Sequence, residues 1–170
     1  MKKAAIILTA LIFISFSCKK EYKFYAFYMT KTVEVTYPGN ENDEFEVSSS
    51  VVDIYSERVF EEEGTTADLI EEITIEEVQL ASSNLSNFNN LELQILSEGL
   101  NEVDMANAET LTFQNDGESV LLSVSTEKMD DFIKASKFTI KTTGEYVGTT
   151  PTQGLKVVYN LRFLVKTYVK

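Results

Sequence analysis

The feature that most constrains this chain is strict alternation of apolar and polar side chains. From Leu155 to Tyr168, Val157, Tyr159, Leu161, Phe163 and Val165 fall on one side of a period-two pattern, while Lys156, Asn160, Arg162 and Lys166 fall mainly on the other. Such a period belongs to an extended strand, in which residues i, i+2 and i+4 line one face. It recurs at Val33, Val35 and Tyr37, at Leu91, Leu93 and Ile95, and at Val120, Leu122 and Val124. Tyr22 to Tyr37, Phe45 to Tyr55, Ile73 to Leu80, Leu91 to Ser97, Ser119 to Ser125, Phe138 to Tyr146 and Leu155 to Tyr168 therefore read as strands, with a short one over Leu111 to Phe113. Glu76-Glu77 breaks the pattern of its strand and predicts a bulge there.

The turns are as legible as the strands. Pro38-Gly39-Asn40-Glu41-Asn42-Asp43 and Asn115-Asp116-Gly117 are strong turn signals, and Gly148 to Gly154 around Pro151 is a third. Phe45 to Tyr55 reads as the strand returning from the first turn, and Glu57 to Glu63 as a charged loop. Two short helices are expected. One begins at Thr65, with Asp68 three residues on as in a capping box and Leu69, Ile70 and Ile73 on one face. The other begins at Thr126, with Met129, Phe132 and Ile133 at helical spacing. Roughly six to eight strands with short helices in the connections predict a mainly β fold, an antiparallel β-sandwich. Regular alternation of strands with long helices, which an α/β fold would need, is absent.

The N-terminus has a different character. Lys2 and Lys3 precede an apolar run from Ala4 to Phe16, interrupted only by Thr9 and Ser15. At about thirteen residues it is shorter than the ~20 of a spanning helix and fits the apolar core of a signal peptide. Ser15-Phe16-Ser17-Cys18 then leads into the single cysteine of the chain. This resembles the lipobox of bacterial lipoproteins. The resemblance implies cleavage before Cys18, acylation of its thiol, and permanent attachment to a membrane through more than one acyl chain. Lys19 stands where some bacteria use Asp for inner-membrane retention, so the resemblance favours the outer membrane. The expected organisation is a signal peptide over 1–17, a tether or the start of the first strand over 18–29, and one β-sandwich domain over 30–170.

Further along, Asp68-Leu69-Ile70-Glu71-Glu72-Ile73, Asn87-Phe88-Asn89-Asn90-Leu91, Gly99-Leu100 and Met105-Ala106, with Met129 to Ile133 and Tyr159 to Val165, resemble a group of uncharacterised bacterial lipoproteins. That resemblance implies an immunoglobulin-like sandwich and a cell-envelope address, without a reaction.

Composition narrows the function. About 153 residues remain after cleavage, one domain's worth, and no disulfide can form within one chain. The net charge of −12 becomes −14 once Lys2 and Lys3 are removed, counting side chains. That balance disfavours nucleic acid, whose phosphates need Lys and Arg, and leaves membrane attachment to the lipid. The chain has no histidine, so Ser-His-Asp and Cys-His hydrolysis lack their proton shuttle. Glycine-rich phosphate loops are missing as well.

Three oxygen-rich sets remain. Glu71, Glu72, Glu76 and Glu77 are the densest carboxylates, with Glu76 and Glu77 expected on opposite faces of a strand and the set as a whole read as a solvated acidic face. Asn40, Asn42, Asp43 and Glu44 could ligate calcium but lack the EF-hand spacing, and a plain turn is the better reading. Tyr22, Tyr25 and Tyr28 could stack on sugars but read better as core or tether. The final strand could offer a docking edge, which its Lys and Arg residues would guard. The expectation is a lipid-anchored envelope lipoprotein with a non-enzymatic binding or structural role, acting on a protein or surface component. No cofactor and no catalytic residue is assigned, and Cys18 is the one site residue. The alternatives are a carboxylate-based glycan-binding module or glycoside hydrolase, and, third, a calcium-stabilised adhesion domain.

Overall fold

The computed structural model describes residues 23–37, 39, 44–82, 85–114, 118–147 and 154–169. Cys18 and the lipobox, Tyr22, Asn40, Asn42, Asp43 and the Asn115-Asp116-Gly117 turn lie outside the described residues. The strands are β1 (Lys23–Tyr37), β2 (Glu44–Ser48), β3 (Val52–Asp53), β4 (Ile70–Ala81), β5 (Phe88–Leu96), β6 (Val103–Ala108), β7 (Ser119–Leu121), β8 (Ser123–Val124), β9 (Lys137–Tyr146) and β10 (Leu155–Val169). Helix α1 (Ser56–Glu62) lies between β3 and β4, and α2 (Asp130–Lys134) between β8 and β9.

These strands build two antiparallel sheets. The first, sheet A, has the order β1-β10-β4-β7; the second, sheet B, runs β2-β9-β5-β6-β8, with β3 also paired to β9. Their inner faces share one core. Phe138 of β9 meets Phe163 of β10 edge-on at 6.3 Å, and Tyr37 of β1 packs on Phe45 of β2 and Phe88 of β5 at 5.1 and 4.9 Å. The alternating residues of β10 from Leu155 to Thr167 are all buried, as their period requires. The expected mainly β sandwich is therefore the fold. In an immunoglobulin domain the first and last strands belong to opposite sheets. Here they are antiparallel neighbours over the whole of β1, from Lys23↔Val169 to Tyr37↔Leu155.

Buried polar groups inside the sandwich are paired. Tyr159 is wholly buried, and its hydroxyl meets those of Tyr37 and, at 2.9 Å, Thr142. The three residues come from β10, β1 and β9, so the cluster ties the two sheets together through the core.

Several local expectations are corrected. β10 is no edge: it is flanked by β1 and β4, and the outer strands of sheet A among the described residues are β1 and β7. The chain after the first turn does not return beside β1 but crosses to sheet B, where β2 pairs with β9. The first helix is α1, in the stretch read as a charged loop. Its acidic face is solvated while Phe60 and Ser56 are buried. The stretch from Thr65 forms only a 3-10 turn over Ala67–Leu69, because Ile70 and Ile73 are drawn into β4. Thr65 instead bonds the Thr167 hydroxyl at 2.6 Å. The second helix starts at Asp130 rather than at Thr126. Asp130 accepts the backbone N–H of Ile73, while the Met129 N–H donates to the Ile73 carbonyl at 2.8 Å. Ser119 to Ser125 splits, β7 joining β4 in sheet A and β8 joining β6 in sheet B.

Candidate functional site

The four central glutamates of the sequence are held on the outer face of sheet A. The register of β4 against β10 slips twice, so that Glu71 and Glu76 are the extra residues of two bulges. The bulge expected at Glu76-Glu77 is one of them, and it overturns the idea that these two side chains diverge. Both reach Arg162, Glu77 at 3.0 Å and Glu76 at 3.9 Å. Glu72 lies 2.5 Å from Lys166 and 3.7 Å from Lys128. The Lys166 ammonium bonded to it holds the Glu72 carboxyl below its ordinary value, and the bond raises Lys166 in return. This set is a network of compensated surface ion pairs, each worth little alone.

A second carboxylate set has no ion pair of its own among the described residues. It surrounds an open depression of about 490 Å³ on sheet B, lined by Glu44, Glu46, Glu92, Glu145, Asn90 and Thr143, with Phe45 and Gly144 below. Strand register assembles it. Glu44 stands opposite Glu145 and Glu46 opposite Thr143, while Glu92 flanks Thr143 from the other side. Like charges directly opposed across antiparallel strands destabilise the pair by ~0.2–1 kcal/mol. Among the described residues, no lysine or arginine lines the depression. The nearest cation along β9 is Lys141, already bonded to Glu102 at 2.8 Å. Glu102 raises the Lys141 ammonium above its ordinary value, and Glu46 and Glu92 add to the effect. Asn89 donates to Glu145 at 3.0 Å. Gly144 shapes the floor: a β-carbon there would stand 2.3 Å from the Asn90 carbonyl oxygen and 2.8 Å from Cζ of Phe45. Of this set only Glu44 figured in the sequence reading, as a calcium ligand. Among the described residues, no group of three or more acidic or cysteine side chains is arranged to hold a metal ion.

The depression lies at the Tyr37 end of β1, since Tyr37 packs on Phe45 beneath it. Lys23 is at the other end of the same strand, roughly 45 Å away along an extended chain of this length. Around that end Phe24 and Tyr28 are both more than half exposed, and Tyr168 is 39% exposed. Phe24 is registered against Tyr168, their rings edge-on at 5.8 Å, and the Arg162 guanidinium lies 5.3 Å from the Tyr28 ring centre. Tyr25, on the other side of β1, stacks with Phe27 and donates to Glu63 at 3.0 Å. Tyr25 and Tyr28 are thus solvent-facing residues of an edge strand, not core. No helix of the described residues is long and apolar enough to cross a membrane.

Comparison with known proteins adds little. No family model matches the chain, and no curated protein does. Among solved structures it is similar to a chain from Desmodium yellow mottle tymovirus, at 7% identity, over 86% of this chain and 90% of that one, with a TM-score of 0.25. A superposition that loose bears on neither fold nor function.

Proposed function

We propose that this protein is a lipid-anchored lipoprotein of the cell envelope, held at the outer membrane by acyl chains on Cys18, with a non-enzymatic role in binding a positively charged protein or envelope component. The observation that carries the binding role is the row of Glu44, Glu46, Glu92 and Glu145, around which no described lysine or arginine lines the depression. Glu72, Glu76 and Glu77 on sheet A are paired with Lys128, Lys166 and Arg162, whereas Glu44 and Glu145 stand directly opposed, a repulsion that a basic ligand would relieve. Its place at the end of β1 remote from Lys23 suits display away from an anchor at Cys18. The anchor itself is supported by the likeness of Ser15-Phe16-Ser17-Cys18 to a lipobox.

A glycan-binding module or glycoside hydrolase is the second reading, favoured by Asn90 and Thr143 standing beside the carboxylates. Against it, the exposed tyrosines Tyr25, Tyr28 and Tyr168 belong to sheet A at the other end of β1, Tyr55 precedes α1, and none lines the depression. Two measurements test the proposal. Metabolic labelling with a clickable palmitate analogue should mark the wild type and fail on Cys18→Ala. Titration of the labelled domain by NMR should show salt-dependent shifts at Glu46, Glu92 and Glu145 with oligolysine. Shifts or turnover with neutral glycan oligomers instead would put the second reading first.

A further inference from the structure

We infer that the exposed aromatic corner of sheet A, formed by Phe24, Tyr28 and Tyr168, is a seat on the lipid–water interface, which holds the anchored domain in one orientation with its acidic depression facing away. This rests on the anchored reading of Cys18.

The corner is an unusual surface for so acidic a chain. From Phe24 to Thr30 seven consecutive residues carry no charge, and three of them are exposed aromatics on a strand that, among the described residues, pairs on one side only. Tyr168, from the far end of the chain, is brought to the same patch by the β1–β10 register. Aromatic rings with an apolar body and, in tyrosine, a polar tip suit the boundary between head groups and acyl chains. Of the possible occupants, the distance to the anchor selects the membrane. Only residues 18–22 separate an acylated Cys18 from Lys23, and five residues span at most about 18 Å when fully extended. The lipid surface is therefore within reach of Phe24 at all times, whereas any protein partner must compete with it. Charge agrees with this placement. The ion pairs of Lys166 and Arg162 border the corner, and the carboxylate row of the depression lies at the far end of β1, away from anionic head groups.

The chain has no tryptophan, so one substitution provides a clean reporter. The mature chain from Cys18, carrying Phe24→Trp, would be coupled through its thiol to a maleimide lipid in phosphatidylethanolamine–phosphatidylglycerol vesicles. A blue shift, and loss of emission when the acyl chains are brominated, are expected. Val147→Trp, next to Tyr146 near the acidic end, should show neither. Adding Tyr28→Ser and Tyr168→Ser to the Phe24→Trp chain should abolish the quenching while circular dichroism stays unchanged. Equal emission from positions 24 and 147 on brominated vesicles would overturn the seat. So would a blue shift at position 24 before any lipid is present, rising with protein concentration, which would make the corner a contact between copies. Palmitate labelling in cells separates the two levels. No label on the wild type overturns the anchored reading and the seat with it; label without quenching overturns the seat alone.

Discussion

Gly144→Ala is the substitution that tests the packing beneath the acidic depression, and two opposing effects set its sign. Replacing glycine by alanine at a compatible position stabilises by ~0.4–1 kcal/mol, because the unfolded chain loses freedom. Gly144 has ordinary strand backbone, so its conformation alone would permit that gain. The space does not. The new methyl would sit 2.3 Å from the Asn90 carbonyl oxygen and 2.8 Å from Cζ of Phe45. An ordinary carbon–oxygen approach between strands is about 3.3 Å. Relief therefore needs about 1 Å of movement in β5, which is paired on both sides, with β9 and β6. Overpacking of this kind costs ~1–3 kcal/mol, and a clash with paired backbone belongs at the upper end. The net expectation is a loss of about 2 kcal/mol, or roughly 4–8 °C in Tm for a domain of this size. Urea unfolding followed by circular dichroism measures it. Phe45→Leu in the same chain removes the ring contact but leaves the carbonyl, so it should restore only part of the loss. A Gly144→Ala protein as stable as wild type would refute the steric reasoning, and full rescue by Phe45→Leu would show that the ring alone set the limit.

Two further outcomes follow from the core and from the depression. Tyr159→Phe deletes the hydroxyl between Tyr37 and Thr142 and should cost about 1–3 kcal/mol, with the Tyr37→Phe/Tyr159→Phe double variant costing less than the sum of the singles. Burial pushes Tyr159 up to about 12 and Tyr37 well above the usual tyrosine value, so the folded state keeps protons that the unfolded state releases. The Tyr159 contribution is present below about pH 10 and is lost as pH rises through about 12, and Tyr37 acts in the same direction; absorbance titration should show both hydroxyls still protonated at a pH where exposed tyrosines have ionised. Glu145→Lys places a cation opposite Glu44, so it should raise stability by ~0.2–1 kcal/mol while weakening oligolysine binding, measured by calorimetry. Unchanged binding would remove the depression as the ligand surface.

β10 was legible because its alternation is intact and its inner face is buried from Leu155 to Thr167. β6 was missed for a physical reason. The register between Leu93 and Gln94 slips, so Met105 and Ala106 are consecutive yet both buried, and the alternation disappears. α1 was missed because five of its seven residues are polar or charged and only Phe60 marks the buried side strongly. The depression was not legible at all. Glu46, Glu92 and Glu145 are about fifty residues apart along the sequence, and they meet only because β9 lies between β2 and β5. No local pattern encodes a strand order. The bulge at Glu76 was visible as a break in period, but its consequence was not, since Arg162 gathers both glutamates from a strand far along the chain.

The edge strand β1 shows how guard and exposure are divided along one element. A long open edge invites pairing with other chains, and an inward-pointing charge is one of the ways proteins prevent it. Lys31 occupies an inward position between buried Met29 and Val33, and its ammonium leaves the core to bond the Asp53 carbonyl at 2.5 Å and approach the Tyr55 ring at 5.6 Å. Burying that charge in a swapped or extended sheet would cost far more than the edge hydrogen bonds return. Beyond it, Glu34 is bridged to Lys156 at 2.8 Å, which keeps charge on the outer face of the half that leads to Tyr37. The half between Lys23 and Lys31 has neither device. An edge left bare over seven residues, with aromatics to both sides, is an aggregation hazard in a freely diffusing protein. Under the proposed anchoring at Cys18, a short tether would keep that half against a lipid surface and remove the hazard that Lys31 removes further along the strand.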